Sequence, residues 1–147
     1  MQWTALDLKN LAALFDDMAD ALWNFRIKNG STLTQSQKNQ FTAEYGQLVS
    51  YGERFENKAL QSALHDIDAA VVDLQNAAHD ATHALEVISD VQKAITIAVA
   101  AVGLGAAIMN PTPGTIANSV NTLVQAVKQA NTKPADAGGN SGTPPKN

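Results

Sequence analysis

Leu60-Gln-Ser-Ala-Leu-His-Asp-Ile-Asp-Ala-Ala-Val-Val-Asp-Leu-Gln-Asn-Ala-Ala-His-Asp-Ala-Thr-His-Ala-Leu-Glu-Val-Ile88 sets apolar side chains at Leu60, Leu64, Ile67, Val71, Leu74, Ala78, Ala81, Leu85 and Ile88. The gaps alternate between four and three residues, which lays one continuous seam along an α-helix and leaves no period-two pattern for a strand. A seam sustained over four heptads is what a helix packed in a bundle or a coiled coil needs. With Leu64 at heptad position a, the polar residues His65, Asp66, Asp73, His79, Asp80, His83 and Glu86 all fall on outward positions.

Toward the N-terminus, Leu8, Leu11, Phe15, Met18, Leu22 and Phe25 form a second stripe of the same rhythm. Thr4 with Asp7 three positions later supplies a cap, and Gly30 supplies a stop, so a helix is predicted over about Thr4 to Asn29. Leu33 before Thr34, with Gln37 following, is the staple and capping box of a next helix. Its stripe is Phe41, Tyr45, Leu48, Gly52, Phe55 and Ala59. That stripe is one residue out of phase with the seam from Leu60, which predicts a break or twist between Ser50 and Leu60, and Ser50 with Glu53 offers a cap there.

Beyond the seam, Val91, Ile95, Ala98 and Val102 restart the stripe one residue early, and Ser89 with Gln92 reads as a capping box. A kink or turn near Ser89 follows, then a helix over about Asp90 to Met109, ended by Asn110-Pro-Thr-Pro-Gly114. Thr115 is positioned to cap a last helix with the stripe Ile116, Val120, Leu123, Val127 and Ala130. From Thr132 the chain has nothing apolar larger than Ala, so a disordered polar tail is expected over 132–147. The expected architecture is all-α: an up-and-down bundle of four or five helices, one domain over 1–131.

The 34 residues from Ala94 to Val127 contain no Asp, Glu, Lys, Arg or His, although charged residues make up 16% of the chain. The first part, Ala94 to Met109, is apolar on every side of a helix and needs a core, a partner or lipid to cover it. Sixteen residues span about 24 Å at the helical rise, short of the roughly 30 Å of a bilayer core, so a fixed transmembrane span is not expected. Burial as the central helix of the bundle fits better, because Ala and Gly let neighbours approach closely. Within it, Gly103-Leu-Gly105 reads as a site of close helix packing.

Composition excludes several chemistries. The absence of cysteine removes thiol catalysis, thiolate zinc and iron–sulfur centres. A net charge of −4, and a run from Ala59 to Gln92 with five Asp, one Glu and no Lys or Arg, exclude a phosphate-binding surface for nucleic acid. No basic leader with an apolar run opens the chain, so the cytosol is the default compartment, with leaderless export open. No nucleophile elbow or phosphate-cradling loop occurs, and no cofactor is implied.

The strongest chemical candidate is His79-Asp80-Ala81-Thr82-His83 with Glu86, since i and i+4 spacing puts both imidazoles on one helix face where they are able to share a metal. It mimics the zinc-protease string, but Asp stands where the base Glu belongs and no strand signal provides a substrate edge. A solvated face explains the same residues, so neither a metal nor a catalytic site is assigned. Asp16, Asp17 and Asp20 lie between stripe positions and read as solvent-facing, and Trp3 and Trp23 read as packing residues.

Over about Leu60 to Ala130, the order of amphipathic helix, apolar helix, Pro-Gly turn and uncharged amphipathic helix resembles the layout of helical pore-forming toxins with their apolar hairpins. The resemblance implies a hairpin over 94–130 able to leave the bundle and enter a membrane. The reading from the residues themselves is a non-enzymatic interaction protein that self-associates or binds a protein partner. In either case the segment at work is carried by Ile95, Val99, Val102, Leu104, Ile108, Ile116, Val120, Leu123 and Val127.

Overall fold

A computed structural model describes residues 4–61, 71–110, 112 and 114–131. It is an all-α bundle, with five helices among the described residues: α1 (Ala5–Lys28), α2 (Gln35–Gln61), α3 (Val71–Val87), α4 (Val91–Met109) and α5 (Thr115–Ala130). The expected tail over 132–147, Trp3, and the seam residues Leu64 and Ile67 lie outside the described residues.

Local chemistry sets the ends. At α1 the Thr4 hydroxyl accepts from the Asp7 N–H (3.1 Å) while the Asp7 carboxylate accepts from the Thr4 N–H (2.9 Å), so two N–H groups that lack helical partners are satisfied. The same reciprocal pair joins Thr34 and Gln37 ahead of α2. At α4 the cap is Asp90, whose carboxylate accepts from the Lys93 N–H at 3.1 Å, and not the expected Ser89. A carboxylate facing a helix N-terminus gains from the macrodipole as well as from the hydrogen bond, which a serine hydroxyl would not. The interruption near Ser89 is nonetheless where the phase slip puts it, three residues between Val87 and Val91.

Two further expectations change. α2 runs unbroken through Ser50 to Gln61, so Ser50 and Glu53 cap nothing, and Leu48, Tyr51 and Phe55 are buried along it; the side chains of Ala59 and Leu60, where the stripe slips, lie outside the described residues. Thr115 is the first residue of α5 and not its cap, a place held by Gly114 at φ 79°. That left-handed backbone suits glycine. The turn is closed instead by the Thr115 N–H donating to the Thr112 carbonyl at 3.0 Å, with the two hydroxyls hydrogen-bonded to each other.

The core is aromatic between α1 and α2 and aliphatic elsewhere. Phe15 meets Phe55 edge to face at 4.9 Å between centroids, Phe25 packs on Phe41 at 5.4 Å, and Trp23 packs on Tyr45 at 5.0 Å. Each pair adds roughly 0.5–1.5 kcal/mol beyond area burial. Every stripe residue of α1 from Leu8 to Phe25 is buried, as are Leu74, Ala78, Ala81 and Leu85 of the seam.

Among the described residues, α4 is the one helix that contacts all four others: α5 and α2 most extensively, then α3 and α1. Its burial is broad, taking in Ala94, Ile97, Ala98, Ala101, Leu104 and Ile108. It is not complete, however. The bundle closes as a ring in the order α1, α2, α4, α5, α3, so α4 belongs to the wall and keeps an outward strip.

Candidate functional site

The strip left open on α4 consists of Gln92, Thr96, Val99, Gly103 and Ala106. Beside it runs a groove of about 730 Å³ between α4 and α5, bordered on the other side by Gln40 of α2. Ile95, Val99, Ala100, Gly103 and Ala126 supply its apolar floor. Gln92, Thr96, Ser119, Asn121, Thr122, Gln125 and Gln129 supply amide and hydroxyl rims. No residue lining it carries a charge. Those amides each offer a donor and an acceptor, so the groove suits a neutral ligand with hydrogen-bonding groups and an apolar body.

The apolar residues singled out over 94–130 divide sharply. Ile95, Leu104, Ile108, Ile116, Leu123 and Val127 point into the core, Val102 and Val120 are half-buried, and Val99 is 50% exposed at the middle of the outward strip. Sequence reasoning did not single out the polar half of this surface, because scattered Gln, Asn, Ser and Thr have no periodic signature. The signal available was the scarcity of charge on α5, where Lys128 is the single charged residue and the rest of the polar face is amides and hydroxyls where a solvated helix ordinarily carries Lys and Glu.

The two glycines of Gly103-Leu-Gly105 do different things. A Cβ on Gly105 would lie 2.5 Å from Cδ2 and 2.7 Å from Cγ of Tyr51, so this glycine lets the α2 aromatic ring rest on the α4 backbone. A Cβ on Gly103 would meet nothing within 4 Å.

His79, His83 and Glu86 are all exposed on α3, in keeping with their outward heptad positions. His83 lines a smaller groove of about 300 Å³ between α3 and α5, together with Asp80 and Lys128, whereas His79 is not among its lining residues. Among the described residues, no three His, Asp or Glu side chains gather as a metal site would need.

No charged side chain lines the groove, although Glu44 stands one hydrogen bond behind its Gln40 border. Asp16 sits over Gly52 of α2, and a Cβ there would lie 2.6 Å from its Oδ1. Partial burial pushes the Asp16 carboxyl above its ordinary value, with Glu56, Asp20, Asp17 and Glu53 adding repulsion. Glu44 is raised too, chiefly by burial, against a hydrogen bond from Gln40 that pulls the other way, and its Oε1 is sealed from solvent without a partner. α3 adds Asp73, Asp80 and Glu86 without a Lys or Arg. The α4–α5 groove is therefore uncharged on a molecule whose α3 face and whose surface around Asp16 are acidic and whose α1 and α2 otherwise mix both signs. Compared with protein-family models, with curated proteins and with solved structures, the chain matches none.

Proposed function

We propose that this chain is a non-enzymatic interaction protein that binds polypeptide through the uncharged face of α4 and α5. The observation that carries the reading is the open α4 strip with its adjoining groove, lined by apolar and amide groups and by no charge. A helix or extended segment brings both an apolar face and backbone or side-chain amides, which the floor and rims are able to satisfy together. A photo-reactive residue at position 99, compared with one at the exposed Ile27 of α1, tests it. Protein adducts specific to position 99 are expected, and equal labelling at both positions refutes the reading.

A membrane-active role is the second reading, favoured by one observation: the 19-residue α4 is long and apolar enough to cross a bilayer. More than half of its apolar window is buried in the bundle, as in the core helix of a soluble protein. Because α4 touches every other helix, withdrawing it would uncover Ile97, Leu104 and Ile108, each worth about 1.5–3 kcal/mol of burial. Insertion therefore requires opening the bundle. Flotation with phosphatidylglycerol vesicles at pH 7 and pH 5 tests it, and absence of binding at both removes it.

A further inference from the structure

Resting on the reading of the α4–α5 face as an association surface, we infer that its occupant is a second copy of this chain, docked antiparallel along α4 about a two-fold axis at Ala101. The outward residues of α4, continued to its C-cap, are Gln92, Thr96, Val99, Gly103, Ala106 and Asn110, with gaps of 4, 3, 4, 3 and 4. That series has the 4/3 spacing of a coiled-coil seam, with Val99 as its one large apolar residue, and it is symmetric about position 101. Laid against itself antiparallel, it pairs Val99 with the partner's Gly103, Thr96 with the partner's Ala106, and Gln92 with the partner's Asn110. The largest apolar knob thus meets the position with no side chain, and amide meets amide. A parallel pairing would instead set Val99 on the partner's Val99 and leave a void where the two glycines face, which close packing disfavours.

Charge argues for the same occupant. A two-fold interface presents one patch to itself, so any charge near the axis faces its like. The acidic faces around Asp16 and on α3 would repel their own copies, whereas amides and hydroxyls are self-complementary. Gly103 adds a separate reason. No intramolecular contact occupies the place of its Cβ, and glycine weakens a helix interior. A neighbour approaching from outside gives its bareness a use.

A seam one helix long is a small interface and belongs with weak, transient association, so protein concentrations of about 10–100 µM are the range to sample. Sedimentation equilibrium of the full chain across that range should show the mass rising from 15.5 kDa toward twice that value. Val99→Glu, at an exposed position, and Gly103→Leu, where the side chain has room, should each weaken association at least tenfold without lowering the thermal midpoint of the monomer. Since the chain lacks cysteine, Val99→Cys mixed with Gly103→Cys should form disulfide-linked pairs faster than either variant alone. A mass fixed at 15.5 kDa, or Val99→Cys alone linking as fast as the mixture, overturns the inference. Adducts from position 99 to a different chain, with a fixed monomer mass, would overturn the second copy and leave the association surface standing. Neither adducts nor dimers would remove both.

Discussion

Alanine at Gly103 and at Gly105 should change stability in opposite directions, although the two sites are one residue apart in the same helix. Each substitution removes a helix-interior glycine, a gain of about 0.8–1 kcal/mol from backbone entropy and propensity. At Gly103 the new methyl meets nothing within 4 Å, so the gain stands. For a domain of this size it raises the melting temperature by roughly 3–5 °C. At Gly105 the methyl would lie 2.5 Å from Tyr51 Cδ2, well inside the usual carbon–carbon contact of about 3.5–4 Å. The ring has little room to retreat. It stacks on Phe55 at 6.3 Å with Arg54 over it at 5.5 Å, and Phe55 is locked against Phe15 of α1. Overpacking of this kind costs about 1–3 kcal/mol. Because the propensity gain is common to both variants, their difference isolates the steric term, and Gly105→Ala should fall below Gly103→Ala by that amount. Urea unfolding at about 1 µM protein, below the self-association range for a small interface, measures it. Pairing Gly105→Ala with Tyr51→Leu should recover part of the loss, as a coupling term between touching residues. Equal shifts for the two alanines would refute the account of Tyr51 on the α4 backbone.

Glu44→Gln should stabilise the protein at pH 7 and lose that advantage in acid. Burial raises the folded-state value of the Glu44 carboxyl, so its favourable contribution exists below the ordinary carboxylate range and is lost as pH climbs through the raised value. Urea midpoints of both proteins against pH check the sign. Phe55→Ala, fully buried with two aromatic neighbours, should cost about 3–5 kcal/mol in the same assay. Thr4→Ala, which removes half of the α1 capping box, should cost about 1 kcal/mol. His79→Ala and His83→Ala, at exposed positions, should each stay within about 0.5 kcal/mol of the parent, and metal analysis should find no metal lost with either.

The fold was readable wherever one face of a helix is buried and the other solvated. The α1 stripe and the α3 seam from Leu74 to Leu85 went inward as their spacing requires, and the reciprocal caps at Thr4 and Thr34 formed. Legibility failed where two residues competed for one job. Ser89 and Asp90 both fit a cap, and only the charge at Asp90 decides between them. It failed again in α2, which continues through Ser50 to Gln61 where the change of stripe phase reads as a break, because a helix with good formers on its exposed face does not have to stop where its buried stripe shifts. The candidate surface was legible only in outline. Lack of charge marks Ala94 to Val127, but in a helix apolar all round, periodicity does not say which strip stays outside; the packing of α2 and α5 against α4 settles it.

That same lack of charge governs how the region responds to chemical reagents. Between Lys93 and Lys128 there is neither lysine nor arginine, so trypsin has no bond to cut and would release Ala94 to Lys128 as one long, sparingly soluble peptide even from the unfolded chain. Amine-directed labels and carboxyl-directed cross-linkers find no handle there either. Surface mapping by charged side chains would outline α1, α2 and α3 in detail and pass silently over the one face proposed to make contact.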